Sequence, residues 1–122
     1  MSKTILIVDD SNSLRQVVNQ TLSQAGYDIL EADDGTTALT LLDSRKIHLI
    51  VSDVNMPRMD GLTFVRHVRD SATYRFTPVI MLTTECSPEM KAKGRAAGAH
   101  AWIVKPFNPQ SLLSAVARLV LP

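Results

Sequence analysis

The chain has 122 residues, 45% of them hydrophobic and 20% charged, with a formal net charge of +1, which suits one globular domain with a real core and leaves no room for a second. The absence of a long basic run argues against direct nucleic-acid binding, and the single cysteine, Cys86, excludes an internal disulfide. With no signal peptide and no apolar stretch long enough to span a bilayer, the expected location is the cytoplasm, without membrane insertion.

Taken in order, Met1 to Lys3 form a polar lead into a strand over Thr4 to Val8, which ends in Asp9-Asp10. Ser11 or Asn12 can cap a first helix whose apolar positions, Leu14, Val17, Val18, Thr21, Leu22 and Ala25, recur at helical spacing until Gly26 stops it. A second strand covers Tyr27 to Ala32, and the turn Asp33-Asp34-Gly35 leads into a helix with Ala38, Leu39, Leu41 and Leu42 facing the sheet. The run Leu49-Ile50-Val51-Ser52-Asp53 follows. Lacking polar alternation, it reads as a strand buried on both faces that stops on a carboxylate.

Gly61 opens a third helix with Leu62, Val65 and Val68 inside, fraying near Ser71 to Thr73, and Pro78 starts a fourth strand. Ser87 to Ala99 reads as the weakest and most mobile helix, because Gly94 interrupts it and its apolar positions are mostly Ala. The fifth strand spans Ala101 to Val104, and a last helix from about Asn108 carries Leu112, Leu113, Val116, Leu119 and Val120 as its core stripe. Strand and helix alternate five times, which implies an α/β fold: a doubly wound five-stranded parallel sheet with helices on both faces.

In such a sheet ligands bind outside the carboxyl ends of the strands. Four strands end there in polar residues: Asp9-Asp10, Asp53, Thr83-Thr84 and Lys105-Pro106. Several carboxylates in a small volume repel one another unless some protonate or a cation joins them. The all-oxygen donor set favours a hard divalent ion such as Mg²⁺.

These motifs, in register along the whole chain, resemble the receiver domains of two-component response regulators, and the flavodoxin-like strand order 2-1-3-4-5 is taken over from that resemblance. Asp9-Asp10 is similar to the family's acidic pair, Asp53 to its phosphoryl acceptor, Met56-Pro57-x-Met59-Asp60-Gly61 to the turn that follows it, and Thr83 to its switch hydroxyl. Lys105-Pro106-Phe107 resembles the family's Lys-Pro-Phe, whose Lys-Pro bond is characteristically cis. The resemblance implies transfer of a phosphoryl group from a sensor histidine kinase to Asp53, with no separate substrate turned over. Mg²⁺ would be held by Asp10, Asp53 and the Asn55 backbone carbonyl, with Asp9 acting mainly through water. Lys105 and Thr83 would hold phosphoryl oxygens. Thr83 would be coupled to an aromatic residue on the fifth strand, here Trp102 in place of the usual Tyr or Phe. Asn55 and Glu85, two residues beyond Asp53 and Thr83, stand where family members tune hydrolysis.

The resemblance further implies an output face on the weak helix, the fifth strand and the last helix, carrying Lys91, Lys93, Arg95, His100 and Trp102, basic enough to suit an acidic partner. With the chain ending at Pro122, the expected protein acts by docking, as a monomer of the stand-alone chemotaxis type, with a histidine kinase and a downstream target such as the flagellar motor switch as partners. A phosphate sink or a regulator of pilus motility is the alternative within the family. An Asp-nucleophile phosphatase needs a second Asp as general acid where this chain has Asn55, and a flavin module would meet repulsion from Asp9-Asp10. His48, His67, His100 and Cys86 show neither metal-ligand spacing nor a nucleophile motif and are given no chemical role.

Overall fold

The computed structural model describes residues 2–42 and 45–122, so of the polar lead Met1 lies outside the described residues. Five strands, β1 (Thr4–Val8), β2 (Asp28–Ala32), β3 (Leu49–Ser52), β4 (Val79–Thr83) and β5 (Ala101–Val104), alternate with five helices: α1 (Asn12–Gln24), α2 (Gly35–Leu41), α3 (Gly61–Asp70), α4 (Pro88–Ala97) and α5 (Pro109–Leu119). All strand pairs are parallel, in the order β2-β1-β3-β4-β5, as expected.

Alternation along the central strands divides the core into two layers. Leu6, Val8, Ile50, Val79 and Met81 face α2, α3 and α4, where Ala38, Phe64, Val65, Val68 and Ala97 cover them. Ile5, Ile7, Leu49, Val51, Ile80 and Leu82 face α1 and α5, against Val18, Leu22, Leu112, Ala115 and Val116. The central strands are therefore apolar on both sides, which is why their sequences read as unbroken Leu/Ile/Val runs.

Among the described residues each helix opens on a side chain that accepts from a free backbone N–H: Ser11 from Leu14, Asp34 from Thr37, Asp60 from Thr63, Ser87 from Met90 and Asn108 from Gln110. Several expectations need correction. Val17 is 50% exposed and Ala25 is an exposed C-cap, so the inner face of α1 is narrower than its apolar spacing suggests. Tyr27 precedes β2, its N–H closing the end of α1 on the Leu22 carbonyl. The helix expected to reach Ala99 stops at Ala97, because Gly98 takes φ +114° and its N–H caps the Gly94 and Arg95 carbonyls. Phe64, fully buried on α3, and Ala115 on α5 are core residues that the sequence reading omitted.

Candidate functional site

The chain order places β2 on one side of β1 and β3 on the other, so the connections depart in opposite directions and a crevice opens between the carboxyl ends of β1 and β3. Asp9 and Asp53 stand at its two sides. Asp53 lies one residue past β3, not within it, yet the ladder continues to it: its N–H donates to the Val8 carbonyl at 2.9 Å, as that of Lys105 does to Thr83 at 2.8 Å and that of Asp9 to Ala32 at 3.1 Å. Each functional side chain thus leaves the sheet from a backbone still held by its neighbour.

Carboxylate oxygens of Asp9, Asp10 and Asp53 all lie within 4.8 Å of one another, with Asp9 and Asp53 buried and Asp10 exposed. The Lys105 ammonium donates to Asp9 Oδ2 at 2.8 Å and Asp53 Oδ2 at 3.1 Å. Asp53 Oδ1 accepts from the Val54 N–H at 2.6 Å and Asp9 Oδ1 from the Ser11 N–H at 2.9 Å. Burial pushes the Asp9 carboxyl above the usual range, outweighing the bonds from Lys105 and the Ser11 N–H, and the Asp53 charge adds to the rise. Burial alone would lower Lys105, but its bonds to Asp9 and Asp53 and the charges behind them more than offset this and raise it. Three carboxylates facing one ammonium leave an excess of negative charge. Oxygens about 3–4 Å apart are what a cation with ~2.1 Å bonds gathers, so this donor set fits a small hard divalent ion with slight closure.

The loop after Asp53 is shaped by close approach. A Cβ on Gly61 would stand 1.9 Å from the Asp53 carbonyl oxygen, and the Gly61 N–H donates to the Val54 carbonyl at 2.7 Å. Arg58 takes φ +66° and pairs with the buried Asp34, while Met59 packs on Gly35, tying this loop to the start of α2. Neither tie was foreseen; the only signal for the first contact was the glycine in Met-Asp-Gly. Arg15, also unforeseen, donates to the Asp9 carbonyl and pairs with Glu31 at 3.1 Å.

Thr83 is fully buried at the end of β4, its hydroxyl accepting from the Glu85 N–H at 3.3 Å. Asn55 donates to Glu85 Oε1 at 3.0 Å, joining the two residues expected to tune hydrolysis. Trp102 sits on the α4 side of the sheet, its indole N–H donating to the Glu85 carbonyl at 2.7 Å. The Lys105–Pro106 bond is cis. On the expected output face Lys91, Lys93, Arg95 and His100 are exposed and Trp102 is half-buried. Burial and the Arg69 guanidinium hold His100 below its ordinary value, and its Nδ1 accepts from the Val79 N–H, so the positive charge of the patch at neutral pH comes from the lysines and Arg95. His48 has a structural task, its Nδ1 accepting from the Thr4 N–H at 2.9 Å.

The family model for the response regulator receiver domain matches residues 5–117. Chemotaxis protein CheY1 of Helicobacter pylori is 41% identical over 110 residues, 88% of this chain and 89% of its own length. The crystallised chemotaxis protein CheY4 of Vibrio cholerae is 49% identical, with a TM-score of 0.94 over 98% of this chain and all of that one. The receiver domain of the sensor histidine kinase PA1611 of Pseudomonas aeruginosa, solved with a magnesium ion coordinated in its active site cleft, is 25% identical with a TM-score of 0.90 over 98% of each chain.

Proposed function

Because the chain belongs to the receiver domains of response regulators, signalling proteins of two-component systems related to the CheY chemotaxis regulators, we propose that Asp53 accepts a phosphoryl group from a histidine kinase and thereby switches a partner-binding face. In the transfer, the phosphorus–nitrogen bond of a phosphohistidine breaks as a bond to an Asp53 carboxylate oxygen forms. Water later cleaves the acyl phosphate and regenerates the carboxylate. No separate substrate is turned over.

The observation that carries this reading is the Lys105 ammonium bridging Asp9 and Asp53, with Asp10 alongside. Phosphoryl transfer asks a protein mainly for position and for charge to offset the equatorial oxygens. Asp53 is already oriented by the Val54 N–H, and Lys105 is near enough to move onto an incoming phosphoryl oxygen. Mg²⁺, held by Asp10, Asp53 and the Asn55 carbonyl with Asp9 through water, would supply the remaining positive charge, a reading supported by the magnesium in the PA1611 receiver. Thr83 would turn its hydroxyl to a phosphoryl oxygen, giving up its contact with the Glu85 N–H.

The output is a protein contact. Lys91, Lys93, Arg95 and Trp102 suit an acidic partner, and the relationship to chemotaxis regulators favours a flagellar motor component, reached by a cytoplasmic monomer. Among the described residues no helix is long and apolar enough to cross a membrane. Phosphate-sink and pilus-motility roles would use the same site. Beryllofluoride with Mg²⁺ is expected to change the emission of Trp102, the one tryptophan, and Asp53→Asn to abolish the change. A response retained in Asp53→Asn would remove Asp53 from the acceptor role, and pull-downs with and without beryllofluoride would identify the partner.

A further inference from the structure

Arg15 brings a positive charge beside the acidic pocket without turning it inward. Its side chain is 14% exposed, and each nitrogen of the guanidinium has an acceptor: Nη1 donates to the Asp9 carbonyl, Nη2 to Asn12 Oδ1 and Nε to Glu31 Oε1 at 3.1 Å. Glu31 is held on its other oxygen too, because Asn19, one helical turn beyond Arg15, donates to Oε2 at 2.7 Å. The guanidinium thereby ties the end of β1, the first turn of α1 and the edge strand β2 into one clasp, and its planar fork is what lets a single cation do so. The Asp9 carbonyl belongs to the peptide that joins Asp9 to Asp10. Asp9 is fixed independently of Arg15, by its N–H on Ala32 and by Lys105 and the Ser11 N–H on its carboxylate. Asp10 is exposed, and among the described residues its carboxylate has no hydrogen bond or ion pair, so its place in the pocket is set by the backbone that Arg15 holds.

We propose that Arg15 is a positioning residue for Asp10, and that its clasp on Glu31 makes the acidic pocket select Mg²⁺ over Ca²⁺; the proposal rests on the metal reading above. Mg²⁺ demands near-ideal octahedral bonds of about 2.1 Å, whereas Ca²⁺ accepts irregular geometry at about 2.3–2.6 Å, so a carboxylate left free to wander costs Mg²⁺ more than Ca²⁺. Net charge is not the clasp's contribution, because Glu31 cancels Arg15 and the pair leaves the charge beside the pocket unaltered. Arg15→Lys preserves that balance while removing the fork: one ammonium cannot serve the Asp9 carbonyl, Asn12 and Glu31 in the same geometry. Arg15→Met combined with Glu31→Gln removes the clasp by the opposite route, taking away both charges at once.

The test is titration of Mg²⁺ and, separately, Ca²⁺ into wild type, Arg15→Lys and the Arg15→Met/Glu31→Gln double variant at low and high salt, followed by the backbone amide NMR shifts of the pocket, whose spectra also report folding. Both variants are expected to bind Mg²⁺ about ten-fold more weakly than wild type, the low end for groups that orient metal ligands. Ca²⁺ affinity should change by less than about two-fold, and the Mg²⁺ loss should be equal at both salt concentrations, since it comes from geometry and not from charge. An unchanged Mg²⁺ affinity in either variant, an equal loss of Mg²⁺ and Ca²⁺, or a loss that salt erases would overturn the proposal while leaving the metal site and Asp53 as read. Wild type that binds no Mg²⁺ would overturn the metal reading with it.

Discussion

Gly61→Ala separates crowding from conformational strain, because the position has no unusual backbone angle to explain the glycine. The new Cβ would meet the Asp53 carbonyl oxygen at 1.9 Å and its carbon at 2.9 Å, whereas real Cβ contacts almost never fall under 3.0 Å, so a gap of 3.0 − 1.9 = 1.1 Å must open. Both atoms are backbone. Asp53 is held by its N–H on Val8 and Gly61 by its N–H on Val54, so no side-chain rotation relieves the clash. Overpacking of this kind costs roughly 1–3 kcal/mol, and a site without rotamer escape belongs at the upper end; alanine's helix preference returns less than about 1 kcal/mol. The net is about 2–3 kcal/mol. With an unfolding entropy of about 2.1 cal/mol/K per residue over 122 residues, or roughly 0.26 kcal/mol/K, Tm should fall by about 8–12 °C. Gly26→Ala is the contrast: nothing lies within 4 Å, but φ is +98°, so only conformational strain of about 1–2 kcal/mol is expected. Thermal unfolding followed by circular dichroism measures both. A Gly61→Ala Tm within 3 °C of wild type would refute the argument that Asp53 is positioned by this contact.

Asp9→Asn should raise the Tm of metal-free protein at neutral pH by a few degrees and shrink the further rise produced by Mg²⁺, measured by thermal scans with chelator or added metal. The sign follows from the raised Asp9 carboxyl: the folded state takes a proton more readily than the unfolded state, so ionised Asp9 opposes folding at neutral pH and ceases to as pH falls through its folded value toward the ordinary 3.8. The advantage of the variant should therefore narrow on acidification, and a gap that widened would contradict it. Lys105→Ala should leave Mg²⁺ affinity by calorimetry undiminished while partner binding no longer rises on phosphorylation; a preserved rise would remove Lys105 from the switch. Since the Lys105 value is raised, the stability from its ion pairs is present below the ordinary 10.5 and lost as pH climbs through the folded value. Wild type should accordingly lose Tm above about pH 10.5 more steeply than Lys105→Ala, readable in alkaline scans.

Asp9, Asp10, Asp53 and Lys105 were legible because each follows an apolar run, and parallel strands send their ends to one rim. The core layers were legible for the same reason, apart from exposed Val17 and buried Phe64, where helical spacing alone leaves the edge of the buried stripe undetermined. The packing reason for Gly94 was not legible because it lies in Trp102, on another element, and local propensity carries no record of what packs from outside. Arg58 with Asp34 and Arg15 with Glu31 escaped notice likewise, since a long cationic side chain in a loop or on a helix does not announce its partner.

His48 accepts from the Thr4 N–H on its ring and from the Leu121 N–H on its carbonyl, so the stretches leading to both chain ends are fastened at the amino-terminal edge of the sheet. Strands of four to five residues, about 15 Å long, separate that edge from the acidic pocket. A fluorophore, affinity handle or surface linker attached at either end therefore sits on the pole away from Asp53 and leaves its pocket open to solution, which makes an immobilised format suitable for following kinase encounters.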